Sequence, residues 1–109
     1  MIVESHTIGS TIQFPLVSAN VSKSGLLLTW DSRLKVPFQK NTIIEMCIDP
    51  TGEYLESPLI CLGKVVRKIS ETKNCAHFGV RIVQIDPKDQ YTWEGMIHGL
   101  GIEDDIKEN

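Results

Sequence analysis

The chain has 109 residues, 41% of them hydrophobic, and a formal net charge of −3 at pH 7, so it can bury one modest core but not two. The acidic residues of segment 102–109 account for this charge, and the rest of the chain is neutral overall with no basic arm. This balance argues against non-specific binding to a nucleic-acid polymer or to an anionic membrane surface. We therefore predict one domain over residues 1–101, followed by an acidic, flexible tail over residues 102–109.

Up to about residue 86 the chain follows the two-residue apolar period of β-strands. Ile44, Met46 and Ile48 share one face of such a strand, as a sheet that covers a core on one side requires. About six antiparallel strands without helical crossovers indicate a small barrel or sandwich. Strands are predicted over residues 16–21, 25–30, 43–48, 59–69 and 78–82, with connections over 31–42 and 70–76 and a turn over 49–52.

The last part of the chain has a helical period instead. Asp86 suits the N-cap and Pro87 the first helical position, while Gly99 and Gly101 are suited to end the helix. We expect the apolar face of this helix to close one side of the sheet. That face carries Trp93, Met96, Ile97 and Leu100.

The cysteines Cys47, Cys61 and Cys75 are odd in number and have no Cys-x-x-Cys spacing. Two of them fall in apolar strand patterns, so all three are interpreted as reduced, buried or half-buried thiols without a metal or redox role. No apolar run is long enough to span a membrane, and segment 1–5 lacks the features of a signal peptide. The sequence therefore predicts a cytoplasmic protein that does not insert into a membrane.

Catalytic motifs are absent from the sequence. His6, His77 and His98 are far apart and not in a metal-ligand spacing, and no serine lies in a Gly-x-Ser-x-Gly elbow. The glycines form neither a dinucleotide fingerprint nor a phosphate loop. We therefore predict that the protein is not an enzyme and has no metal site.

The most informative segment is the turn over residues 20–25, which joins two predicted strands. Asn20 offers an amide, Ser22 a hydroxyl and Gly25 a backbone without a Cβ, which suits close approach by a hydrogen-bonding ligand or by another backbone. The same residue types also occur in turns without a ligand, because Asn and Ser bond to their own backbone. The turn alone leaves a binding role and a structural role open.

Asn20, Ser22 and Gly25 resemble, position for position, the Asp/Asn-x-Ser-x-x-Gly motif of the PilZ family. Segment 63–67 looks like the family's Gly-x-Val-x-Arg strand, and segment 78–82 looks like its Gly-Val-Arg-Phe strand. Together these motifs extend the resemblance over most of residues 12 to 100. It implies a mainly β protein, a six-stranded antiparallel PilZ-like barrel with a C-terminal α-helix.

The resemblance to PilZ domains implies binding of cyclic di-GMP, a bacterial second messenger, with no other cofactor. It implies that Asn20 and Ser22 form hydrogen bonds with the edge of a guanine base. It also implies that Gly25, which has no Cβ, permits close approach to the backbone. The family's other half-site is an Arg-x-x-x-Arg segment about twenty residues before the turn, and this chain has no such segment. Either the domain comes from a longer protein, or it binds the dinucleotide weakly or not at all, because guanidinium groups suit phosphate best.

Other cations are candidates to replace the missing arginines. Lys23 lies in the turn, and Arg81 lies on a strand whose polar face can converge near it, as can the faces that carry Lys64, Arg67 and Lys68. We therefore include Lys23 and Arg81 among the candidate ligand-binding residues. The alternative for these side chains is an ordinary solvated strand face.

These observations predict a non-enzymatic signalling module that regulates motility or biofilm formation. The main alternative is a ligand-independent PilZ-type adaptor that binds a protein of the type IV pilus, motility or secretion machinery, and the missing arginines favour it. A barrel that binds single-stranded nucleic acid is a more distant alternative, because it requires a basic groove with exposed aromatic residues. Trp30 and Trp93 instead fall in apolar patterns, and we expect both in the core.

Overall fold

The computed structural model describes residues 2–31, 35–49, 59–71 and 75–99, which form six β-strands and one α-helix. In chain order these are β1 (Ile2–Thr7), β2 (Phe14–Val21), β3 (Gly25–Trp30), β4 (Ile43–Asp49), β5 (Leu59–Glu71), β6 (Ala76–Ile85) and α1 (Pro87–Gly99). The strands pair antiparallel and close into a barrel in the order β1-β2-β3-β6-β5-β4. The predicted mainly β barrel with a C-terminal helix is confirmed.

Alternating apolar residues of the strands fill the barrel, as the two-residue period predicts. Ile44, Met46 and Ile48 of β4 are all fully buried. The connection before β4 has no regular secondary structure in its described part, yet it contributes Phe38 to the core. The Phe38 ring makes edge contacts with Phe14 and Phe78 at centroid distances of 5.8 and 5.7 Å.

β1 is not among the predicted strands, because its inward positions are not all apolar. Ser5 faces the core, where its hydroxyl donates to the Val3 carbonyl oxygen at 3.3 Å, whereas Ile2 is exposed. The predicted connection over residues 70–76 is wrong at both ends, since Ser70 and Glu71 belong to β5 and Ala76 begins β6. The rest of the predicted turn after Asp49, the helix end beyond Gly99 and the acidic tail lie outside the described residues.

α1 begins where the sequence predicts. Asp86 Oδ1 accepts a hydrogen bond from the Lys88 backbone N–H at 3.0 Å, the geometry of an N-cap. The apolar face of the helix carries Trp93, Met96 and Ile97 into the core, so α1 closes one side of the barrel. Among the described residues, no helix is both long enough and apolar enough to cross a membrane.

Candidate functional site

A groove of about 400 Å³ lies on the outer face of the barrel, where β2, β3, β6 and β5 are neighbours. We call it the outer groove. Strand register and the turn hydrogen bonds arrange this face in two adjacent rows of side chains across the four strands. One row is Asn20, Leu27, Gly79 and Arg67, and the other is Ser22, Gly25, Arg81 and Lys64.

A β-bulge in β2 turns Asn20 towards the outer groove. Ser18 pairs with Leu28 and Asn20 with Leu27, which leaves Ala19 as the extra residue. Strict alternation would place Asn20 on the same inward face as Ser18, but the extra residue reverses the direction and Asn20 is exposed. The buried Ser18 hydroxyl donates to the Asn20 carbonyl oxygen at 3.1 Å and so supplies a hydrogen-bond donor at the bulge.

A second bulge does the same for Arg67 on β5. Val65 pairs with Val80 and Arg67 with Gly79, so Val66 is the extra residue and Arg67 faces outward. Gly79 leaves room for this side chain. A Cβ built on Gly79 would lie 3.5 Å from Arg67 Nε, which is an ordinary van der Waals contact. The backbone of β6 at Gly79 therefore forms a floor against which the Arg67 side chain lies.

The turn between β2 and β3 is held by its own hydrogen bonds and by α1. The backbone N–H and the hydroxyl of Ser22 both donate to the Gly25 carbonyl oxygen, at 2.8 and 3.3 Å. The indole N–H of Trp93, a side chain only 1% exposed, donates to the carbonyl oxygens of Ser22 and Lys23 at 3.2 Å each. The turn is thus fixed relative to the helix.

Gly25 serves the approach of two backbones. A Cβ at this position would collide with the Val80 carbonyl oxygen of the neighbouring strand β6. The residue does not have a positive φ angle, so its requirement for glycine is steric rather than conformational. The space next to Gly25 is therefore occupied by β6.

The outer groove has a positive electrostatic character. Arg67 and Arg81 are exposed, and within the described parts of the chain neither guanidinium group forms an ion pair. None of the described lining residues is an aspartate or glutamate. Two guanidinium groups thus face the amide of Asn20 and the hydroxyl of Ser22 across an apolar floor at Leu27, an arrangement that suits a planar anion with hydrogen-bonding edges.

The structure brings some of the predicted site residues together and not others. Asn20, Ser22, Gly25 and Arg81 all line the outer groove. Lys23 is exposed but is not among the described lining residues.

The other cations also differ in position. Arg67 lines the groove, and Lys64 is opposite Arg81 in the strand register. Lys68 is placed differently, with its Nζ 5.9 Å from the centroid of the buried Phe78 ring. The sequence analysis does not single out Leu27, Val66 or Gly79 as groove residues, because only the bulges reveal which side chains share the outer face.

The sequence matches the family model for the PilZ domain over residues 4–97, which covers the barrel and most of α1. The chain belongs to the PilZ domain family. Neither a search of curated proteins nor a search of solved structures found a match. PilZ domains are ligand-binding or adaptor domains of cyclic di-GMP signalling and not enzymes.

The side chains that line the outer groove of this PilZ domain are suited to binding a ligand. Its groove presents hydrogen-bonding groups and guanidinium groups on a closed barrel, a scaffold that holds them in fixed positions. In the part of the chain that the structure describes, no group of three or more His, Cys, Asp or Glu side chains is placed to bind a metal ion.

Proposed function

We propose that this PilZ domain is a non-enzymatic, cytoplasmic receptor that binds cyclic di-GMP in the outer groove and regulates a motility or biofilm output. The observation that carries the proposal is the pair of guanidinium groups, Arg67 and Arg81, facing Asn20 and Ser22 across a groove whose described lining has no carboxylate. A dinucleotide carries phosphates and flat bases, and this set of side chains matches both.

Each side chain has a role in the proposal. The Asn20 amide and the Ser22 hydroxyl bond a guanine edge, with Ser22 accepting because its hydrogen already points to the Gly25 carbonyl oxygen. Arg67 and Arg81 bond phosphate oxygens or stack on a base. Lys23, exposed in the turn, adds a positive charge at the edge of the site. Within the described part of residues 1–109, Arg67 and Arg81 are the arginines that line the site.

The affinity is expected to be weaker than that of a site with the full arginine segment. A hydrogen bond to a charged group contributes about 1.5–3 kcal/mol, so each missing guanidinium contact weakens binding by about 10- to 150-fold. Binding in the micromolar range is therefore the expected result.

Isothermal titration with cyclic di-GMP, with GMP as the control ligand, tests the proposal. We expect saturable binding of the dinucleotide, and a loss of about tenfold or more in affinity for each of Arg67→Ala and Arg81→Ala. Lys40→Ala is the matched control, because Lys40 is exposed and is not a groove-lining residue. Absence of saturable heat, or equal affinities for all three variants, would contradict the proposal.

A second candidate is a ligand-independent adaptor that binds a protein of the motility or secretion machinery. The observation that favours it is that the turn residues already have structural partners. Ser22 bonds within the turn, Trp93 bonds to the turn carbonyls and Gly25 accommodates β6.

The double variant Asn20→Ala, Ser22→Ala separates the two functions. The receptor function predicts weaker dinucleotide binding in the variant than in the native protein. The adaptor function predicts no dinucleotide binding in either protein. Both functions predict a small decrease in the unfolding temperature, because the turn loses the hydrogen bond from the Ser22 hydroxyl to the Gly25 carbonyl oxygen.

A further inference from the structure

Three side chains outside the outer groove form a hydrogen-bonded chain that the proposed function does not use. Cys75, just before β6, has its Sγ 3.5 Å from Nε2 of His77. The other ring nitrogen of His77, Nδ1, lies 3.1 Å from Oγ1 of Thr29, its cross-strand partner on β3. All three residues are half-buried, so this chain is packed against the protein on one side and open to solvent on the other.

The three cysteines differ strongly in their surroundings. Cys61 is buried in the core, and this burial, together with the Asp89 carboxylate and the Cys47 thiol, raises the pKa of Cys61 to about 12. A thiol of that kind stays protonated and does not react. Cys47 on β4 is half-buried, as Cys75 is. Cys47 is therefore an internal comparison for the effect of the histidine.

We propose that Cys75 is a reactive thiol that forms mixed disulfides with low-molecular-weight disulfides, with His77 as its base and Thr29 as a positioning residue. A thiol becomes a nucleophile when an adjacent imidazole takes its proton, and a third group commonly orients that imidazole. In the tautomer with hydrogen on Nδ1, His77 donates to Thr29 Oγ1 and leaves Nε2 open to the Cys75 thiol. The spacing of the cysteines along the sequence does not indicate this role.

The reaction is a thiol–disulfide exchange. The Cys75 S–H proton moves to His77 Nε2, and the thiolate attacks one sulfur of the small disulfide. A new S–S bond forms to Cys75 as the old one breaks, and the departing thiolate takes the proton from His77. The Cys75 sulfur is oxidised, the departing sulfur is reduced to a thiol, and no other oxidant is needed.

The test uses glutathione disulfide and the whole chain. After timed incubation the free thiols are blocked, and mass spectrometry of peptides gives the rate of mixed-disulfide formation at each cysteine. We expect Cys75 to react about tenfold faster than Cys47, and Cys61 not to react in the folded protein. In His77→Gln the side chain retains hydrogen-bonding groups but accepts no proton, so the Cys75 rate should fall about tenfold while the Cys47 rate stays constant.

Thr29 is tested by a pair of variants, which also covers the case in which His77→Gln does not fold. Thr29→Val removes the hydroxyl at nearly constant shape and should lower the rate of mixed-disulfide formation at Cys75 several-fold. Thr29→Ser keeps the hydroxyl and should retain most of that rate. Equal rates at Cys75 and Cys47 in the native protein would overturn the proposal. So would a Cys75 rate that neither His77→Gln nor Thr29→Val changes.

Discussion

The two sides of the barrel wall differ in the regularity of their strand pairing. β1 pairs with β2 and β4, and β4 with β5, without a register shift, whereas β2–β3 and β5–β6 contain shifts. The regular side carries carboxylates, such as Glu45, in its outer rows, and the shifted side carries Asn20 and Arg67. Since one extra residue reverses the direction of a side chain, the bulges are what convert two inward positions into groove residues.

Two glycines on the shifted side sharpen this comparison and give the largest expected effect. Gly25→Ala should destabilise the protein by about 3 kcal/mol, because the new Cβ collides with the Val80 carbonyl oxygen and the β3–β6 pair must separate. Gly79→Ala is the matched control. Its Cβ meets only the flexible Arg67 side chain and Val66 at ordinary contact distance, so we expect a cost below about 1 kcal/mol.

Urea denaturation of the two variants measures this difference. Equal losses would mean that the β3–β6 pair relaxes around Gly25. In that case the contact with the neighbouring strand would not explain the glycine at this position.

The stability of the protein should depend on alkaline pH because of Cys61, a residue of the barrel interior that is paired with Met46 of β4. Its pKa is raised from an ordinary value of 9.0 to about 12, mainly by burial and further by Asp89 and Cys47. Below pH 9 the Cys61 thiol is protonated in both the folded and the unfolded state, and its full contribution to stability is present. Between pH 9 and 12 only the unfolded state ionises, so stability falls by about 1.4 kcal/mol per pH unit.

Urea titrations at several pH values under reducing conditions measure the slope attributed to Cys61. Cys61→Ala removes the titrating group and should lower stability at neutral pH while giving a shallower decline above pH 9. An identical slope in the variant would show that other groups, such as lysines and tyrosines, cause the whole decline.

The link between α1 and the turn is expected to contribute less. Trp93→Phe keeps an aromatic ring in the core but removes the N–H that donates to the Ser22 and Lys23 carbonyl oxygens. We expect a loss of about 1 kcal/mol and faster hydrogen exchange of the turn amides. Tyr91→Phe is the control on the same helix, because Tyr91 is 82% exposed. Unchanged exchange in Trp93→Phe would mean that the turn is held without the helix.

The sequence predicts those parts of the fold where local pattern and packing agree. β3 and the start of α1 are predicted correctly, because Gly25 to Trp30 is an apolar run after a turn and Asp86-Pro87 is a strong helix start. β1 is missed because the barrel buries Ser5, a residue that breaks the apolar alternation. Its pairing with β4 closes the barrel, and a contact between strands so distant in sequence leaves no local pattern.

The candidate site is only partly predictable for the same reason. Asn20, Ser22 and Gly25 are found from a motif, since they are close together in the chain. Arg67 and Arg81 lie on different strands. Arg81 points outward by the ordinary alternation of β6, whereas the position of Arg67 in the same row as Asn20 depends on the bulges at Ala19 and Val66. A bulge depends on the partner strand as well as on its own residues, so sequence period alone assigns the wrong direction to the side chains that follow it.

The smallest expected effect belongs to the regular side of the barrel. Glu45 Oε1 lies 3.2 Å from His6 Nε2, but the Glu45 side chain is 43% exposed, and such pairs contribute little because water screens them. Glu45→Gln should therefore change the free energy of unfolding by less than about 0.5 kcal/mol. It should also leave any cyclic di-GMP affinity within about twofold, because the side chain is not among the groove-lining residues described.

Thermal unfolding and titration of Glu45→Gln beside Arg67→Ala measure both quantities. If removing this carboxylate raised the affinity as much as removing the Arg67 guanidinium lowered it, the ligand would be responding to net charge and not to the groove. A change confined to Arg67→Ala would instead locate recognition on the shifted side, where a bulge turns the Arg67 guanidinium group outward.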